Sequence, residues 1–322
     1  MTSSPTFDPL DPKLQISFYY RLRTVRGKYL LGALRKTVAT MEIPALDAEL
    51  SALVPTPALQ RIASFGLRGE LFFPVPTLLR RNPFLLGYYR LLFGFSQKEF
   101  YNKGPFGRFK CMEETGEMPT RIESMLRPLC GSLIATGAAM AERVDTVSVE
   151  LIHELQLLTV GPQWRGEENT RIGQEAASEV FKLIRRVVEP SIIAETQRSM
   201  DVRNAANRTV MIKFGSDPDV EITEMLADGT RPIVSLEIKG GADASNVHNR
   251  LGEAEKSHQK AKRLGFYEFW TIIRVDVGND VVRAESPTTN RVFNLDRILD
   301  ETSPQHGEFV QELTSRIGLQ NT

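Results

Sequence analysis

The chain has 322 residues, 41% hydrophobic and 25% charged, with 40 basic side chains balancing 40 acidic ones. That length suffices for one large core or two domains, and the composition is that of an ordinary globular protein. Zero net charge excludes a globally basic nucleic-acid binder, and the cysteines, Cys111 and Cys130, exclude a disulfide framework or a cysteine zinc site.

No run approaches the roughly 18 apolar residues of a membrane span. The opening residues Met1 to Thr6 lack a basic stretch followed by an apolar one, so no secretion is expected. A soluble, cytoplasmic protein without an organic cofactor is the expectation.

Residues 1–160 read as a mainly helical N-terminal region, punctuated by prolines between Pro44 and Pro105. Pro83 to Phe93 is apolar almost all round and predicts a buried helix. Phe95 to Lys103 mixes aromatic and polar residues, which fits core packing with a polar exit turn better than a contact surface. Ser132 to Val144, rich in Ala and Gly, predicts a closely packed helix. The texture changes at Gly161-Pro162-Gln163-Trp164-Arg165-Gly166, where a boundary is placed, leaving 161–322 as a second domain.

Beyond the boundary Ile172, Ala176, Val180, Leu183, Ile184 and Val187 recur at helical spacing, and Pro190 ends or kinks that helix. Thr209 to Phe214 reads as a strand. Asp219 opens the alternating segment Val220-Glu221-Ile222, and the turn signal Asp228-Gly229 joins it to an apolar strand ending in Glu237-Ile238-Lys239. Asn246 to Leu264 reads as a helix and Phe266 to Ile273 as a central strand. An edge strand at Arg291 to Phe293 and a helix over 305–317 complete the order. Helix, three strands, helix, strand resembles the common core of PD-(D/E)XK nucleases, an α/β fold.

The spacing carries chemistry. Glu237 and Lys239 are two apart on a strand and point to one face, while Leu236 and Ile238 point to the other. A hairpin sets Asp219 beside Glu237. Asp219, Glu237 and the Ile238 carbonyl form an oxygen set suited to Mg²⁺, and Lys239 orients the attacking water or helps deprotonate it. Pro218 before Asp219 favours it over Asp217, and Glu221 is a reserve ligand. Glu179 lies at the edge of the apolar helical stripe. It either reaches the metal or flanks the helix into solvent, and the sequence leaves both open.

Arg198, Arg203, Arg208 and Lys213 form a basic cluster around a segment read as a DNA-facing loop. Lys256, Lys260 and Arg263 share one face of the following helix. These are candidate DNA contacts, with a solvated charged face as the alternative. His258 falls on the stripe of Leu251, Ala254 and Ala261 and reads as a packed histidine.

The strings Gly215-Ser216-Asp217-Pro218-Asp219-Val220-Glu221-Ile222, Leu236-Glu237-Ile238-Lys239-Gly240-Gly241, Asn246 to Arg250 and Glu253 to Lys260 resemble the XcyI family of type II restriction endonucleases. Asn82 to Tyr101 and the 161–166 loop share the resemblance. It implies a homodimer acting on double-stranded DNA at the palindrome CCCGGG, with Mg²⁺ as cofactor. It further implies 5′-phosphate ends, a cut after the first cytosine, and catalysis by Asp219, Glu237 and Lys239. Arg203, Arg208, Arg250, Lys256 and Lys260 are the candidate DNA contacts, and the N-terminal region is expected to clamp DNA, dimerise, or both. The competing readings are a structure-specific repair or recombination nuclease of the same fold, and a DNA-binding protein whose acids are structural.

Overall fold

The computed structural model describes residues 12–319; Met1 to Thr6, read above for a secretion signal, lie outside them. The chain forms two compact units that divide between Gly166 and Glu167. Among the described residues no helix is long and apolar enough to cross a membrane.

The first unit is built from α1 (Lys13–Lys28), α2 (Leu31–Val38), α3 (Ile43–Leu53), α4 (Thr56–Ser64), α5 (Pro76–Arg81), α6 (Leu85–Leu92), α7 (Lys110–Glu114), α8 (Thr120–Glu123) and α9 (Leu126–Arg143). As its all-round apolar sequence predicts, every residue of α6 is buried, including Arg90. That guanidinium is neutralised in place. Its Nε and Nη2 donate to the two carboxylate oxygens of Glu113 at 2.8 and 2.7 Å. Tyr101 donates its hydroxyl to Glu113 at 2.7 Å, and Gln97 donates at 3.1 Å. Burial pushes the Glu113 carboxyl up, but the Arg90 hydrogen bonds and charge outweigh it and hold it below its ordinary value. Phe100 and Tyr101 are buried, as core packing predicts, whereas Phe95 at the start of the segment is exposed.

The Gly161–Gly166 loop is a correction. The segment lies inside α10 (Val149–Val188), a continuous helix that contains Pro162. Val160 and Trp164 sit in a buried cluster with Val25, Tyr29, Leu30 and Leu91, and this packing overrides the helix-breaking tendency of the neighbouring Gly and Pro.

The second unit is a mixed α/β structure on a seven-stranded sheet whose strands lie side by side in chain order. They are β1 (Ile192–Glu195), β2 (Ser199–Arg203), β3 (Thr209–Phe214), β4 (Val220–Leu226), β5 (Gly229–Lys239), β6 (Glu268–Ile273) and β7 (Arg291–Asn294). β1 to β5 pair antiparallel, whereas β6 and β7 add in parallel. A parallel addition needs a crossover, and α11 (Val247–Arg263) supplies it between β5 and β6. α12 (Asn279–Glu285), α13 (Leu295–Leu299) and α14 (Pro304–Ile317) complete the unit.

The expected hairpin is present, with Val220 opposite Leu236 and Leu226 opposite Gly229. Its connecting residues are Ala227 and Asp228, while Gly229, at φ 146°, opens β5. Two strands depart from the sequence expectation: β1 is short, and β2 replaces the expected basic loop, with Met200 and Val202 pointing into the core between exposed or half-buried neighbours.

The sheet is covered on both faces at β5 and β6. Leu236, Ile238, Trp270 and Ile272 pack with Ala176, Val180 and Phe309 from α10 and α14. The opposite face of β5 and β6 meets α11, where Leu251, Ala254, Ser257, His258 and Ala261 are buried. Glu237 and Thr271 stand side by side in the parallel register on that face. A strand covered on both sides is apolar apart from residues with a partner or a task.

Candidate active site

The acids meet at the C-terminal end of β5. Asp219 stands one residue before β4, so the antiparallel register brings it against Glu237. Its Oδ2 accepts the backbone amide of Ile238 at 2.7 Å. Glu237 is only 4% exposed. Lys239 donates from Nζ to Glu237 Oε2 at 3.1 Å, and Glu253 on α11 approaches the same ammonium at 4.0 Å. The close approach of α10 is permitted by Gly240, where a Cβ would collide with Ala176.

Charge is strained here. Burial raises the Glu237 carboxyl above its ordinary range, and the Asp219 charge adds to it against the opposing pull of Lys239 and Ser257. Burial likewise raises Asp219, with Asp217 adding to the effect and the Ile238 amide and Lys239 opposing it. Two partly desolvated carboxylates sharing one lysine are under-neutralised. That donor set, hard oxygens with excess negative charge, fits a divalent cation of the Mg²⁺ type. Among the described residues no group of three or more His, Cys, Asp or Glu side chains is arranged to hold a metal ion by side chains alone. The backbone carbonyl and water would therefore have to complete the coordination.

A second layer lies behind Glu237. Ser257 on α11 donates to the carboxylate through its Oγ and also meets Asp217 Oδ1 at 2.6 Å. Lys260 donates to Asp217 Oδ2 at 2.5 Å, and this bond, followed by that of Ser257, holds the Asp217 carboxyl below its ordinary value. Sequence reasoning missed Ser257. The available signal was a hydroxyl inside the buried stripe of Leu251, Ala254 and Ala261.

Most of the other candidates are engaged with partners of their own. Glu179 is paired with Arg274 at 3.1 Å, and Arg274 also donates to the Gly240 carbonyl at 3.2 Å. Glu221 is 3.6 Å from Lys213. Arg208 pairs at 2.9 Å with Glu224, a buried acid that Arg231 also neutralises. Arg203 ends β2 and donates to the Asn207 carbonyl at 3.3 Å, and Arg250 donates to the Gly241 carbonyl. Lys256 is exposed on α11. His258 is a packed histidine, its Nε2 3.0 Å from Thr271 Oγ1.

A family model described as XcyI restriction endonuclease matches residues 19–320. The type II restriction enzyme Cfr9I of Citrobacter freundii is 42% identical over 316 residues, covering 96% of each chain. The type II restriction enzyme XcyI of Xanthomonas campestris pv. cyanopsidis is 43% identical over 315 residues, covering 96% of this chain and 95% of that one. No solved structure matches this chain significantly.

Proposed function

This chain belongs to the XcyI restriction endonuclease family, and from that premise we propose that it cuts double-stranded DNA at CCCGGG in a Mg²⁺-dependent hydrolysis. The observation that carries the reading is the convergence of Asp219, Glu237 and Lys239 at one end of the β4–β5 hairpin. The reading treats the second unit as a PD-(D/E)XK core, which the order of α10, the β3–β5 strands, α11 and β6 supports. The hexanucleotide, a cut after the first cytosine and 5′-phosphate ends are what the family resemblance implies.

Asp219, Glu237 and the Ile238 carbonyl would hold the cation. When bound, it supplies neutralisation of the phosphoryl oxygens and a more acidic water. The chain's own residues do the rest. Lys239 brings a positive charge beside the reacting phosphate and directs a water with its ammonium protons. Its bond to Glu237 keeps that ammonium in the site rather than in solvent. The Ile238 amide fixes the Asp219 carboxylate, so no reorientation is needed when substrate arrives.

A palindrome is read most economically by a two-fold dimer, so a homodimer is proposed. The first unit contributes DNA clamping, dimerisation or both, and the protein acts in the cytoplasm. Arg203, whose bonds to Asn207 are solvent-exposed, and Lys256 are the proposed phosphate contacts, since Arg208 and Lys260 are ion-paired within the protein and Arg250 is partly buried against the Gly241 carbonyl.

Digestion of a plasmid of known sequence with Mg²⁺, followed by mapping of the fragment ends, tests the reading. Discrete fragments ending within CCCGGG are expected. Smearing, or nicking only at branched structures, would overturn it in favour of a structure-specific nuclease.

A further inference from the structure

Resting on that nuclease reading, we propose that Ser257 is a positioning residue that locks Glu237 for its cation, with Asp217 and Lys260 forming the brace behind it. Glu237 is gripped from two sides: Lys239 donates to Oε2 at 3.1 Å, and the Ser257 hydroxyl meets Oε1. The same hydroxyl reaches Asp217 Oδ1 at 2.6 Å, and Lys260 takes Asp217 Oδ2 at 2.5 Å. Ser257 and Lys260 are three apart, so one turn of α11 delivers both to the Asp217 carboxylate.

Packing does not require the hydroxyl. Ser257 is 7% exposed on a stripe otherwise filled by Leu251, Ala254 and Ala261, where alanine would pack as well. What the hydroxyl adds is a bridge between two carboxylates, each of which carries its own lysine: Lys239 for Glu237 and Lys260 for Asp217. The hydroxyl has one proton, donated to one of two acceptor-only carboxylates at a time, so it holds both side chains against one point while the two lysines offset their repulsion. Asp217, the acid preceding Pro218, thus acts on the site through Ser257 and not as a ligand. Lys260 serves this brace and not the DNA backbone.

The test is a Mg²⁺ titration of thermal unfolding without DNA, on wild type and the variants Ser257→Ala, Ser257→Thr, Asp217→Asn and Asp219→Ala. Ser257→Ala is expected to keep the metal-free unfolding temperature and to raise the half-saturating Mg²⁺ concentration by roughly tenfold or more. Ser257→Thr should restore it to within about twofold, and Asp217→Asn should give a smaller shift in the same direction. A wild-type midpoint for Ser257→Ala, or a Ser257→Thr protein that titrates like Ser257→Ala, would overturn the brace. If that happens while Asp219→Ala has lost the Mg²⁺ response, the cation site stands and only the brace is lost. If wild type itself shows no response, cation site and brace fall together.

Discussion

The Asp219 carboxylate is held across the hairpin by the Ile238 amide at 2.7 Å, and Ile238 is flanked by Glu237 and Lys239. One backbone group thus ties the acid of the first strand to the end of the second. Removing that carboxylate should abolish chemistry and spare binding. Asp219→Ala is expected to lower the cleavage rate by roughly a thousandfold or more, with DNA affinity in a gel-shift assay close to wild type. Cutting by the variant at a comparable rate would remove Asp219 from the catalytic set.

The same carboxylate is a thermodynamic liability without a cation. A raised folded-state carboxyl means that the native protein holds the proton more tightly than the unfolded chain, so ionisation costs stability as pH rises above the ordinary value of 3.8. Asp219→Asn keeps an acceptor for the Ile238 amide while removing the charge. It should raise the stability of the metal-free protein at neutral pH, by about 1 kcal/mol, and abolish any gain from Mg²⁺. A metal-free variant less stable than wild type in calorimetry would contradict this account of the strain.

Salt dependence separates DNA-facing cations from those used by the fold. Lys256→Ala should reduce the slope of log affinity against log salt by roughly one. Arg208→Ala should leave the slope unchanged and lower stability, because it strips a partner from the buried Glu224. A reversed pattern would put Arg208, not Lys256, at the phosphate backbone.

Legibility in the sequence followed the range of the interactions involved. The β4–β5 hairpin, α11 and α14 announce themselves through local periodicity and turn chemistry, so Glu237 and Lys239 could be set on one face from spacing alone. β2 carries the same alternation at Met200 and Val202, but the charges of Asp201 and Arg203 masked it. Pro162 and Gly166 suggested a break because their helix cost is local, whereas the burial of Val160 and Trp164 that offsets it comes from distant residues. Ser257 was unreadable for the same reason. Its role depends on Asp217, forty residues away, and on Glu237, twenty away.

The buried pair in the first unit makes a sharper stability prediction. Arg90 and Glu113 are almost wholly inaccessible, and Arg90 Nη1 also donates to the Phe95 carbonyl at 2.5 Å. Glu113→Ala leaves a buried guanidinium without its counterion and should cost about 3–5 kcal/mol. Arg90→Met with Glu113→Leu removes both charges and should recover most of that loss. Urea midpoints at constant slope would show it, and a double variant as unstable as the single one would mean that the hydrogen bonds to Tyr101 and Phe95, not charge balance, dominate.

His258 opposes the carboxylates in its response to pH. Burial lowers its pKa from 6.5 to about 4, with the charge of Lys239 lowering it further and that of Glu255 pulling the other way. The unfolded chain therefore takes up the proton first. The stability tied to the neutral ring is complete above pH 6.5 and is lost as pH falls toward 4, by at most about 3 kcal/mol. Glu237 and Asp219 act in the opposite sense, costing stability as pH rises, so the wild-type profile alone cannot apportion the two. His258→Leu removes one contributor and leaves the acids in place. The stability difference between wild type and this variant should shift against wild type as pH drops from 6.5 to 4 and stay flat above 7. A difference constant across that window would show that the imidazole titrates in the folded protein as it does in water.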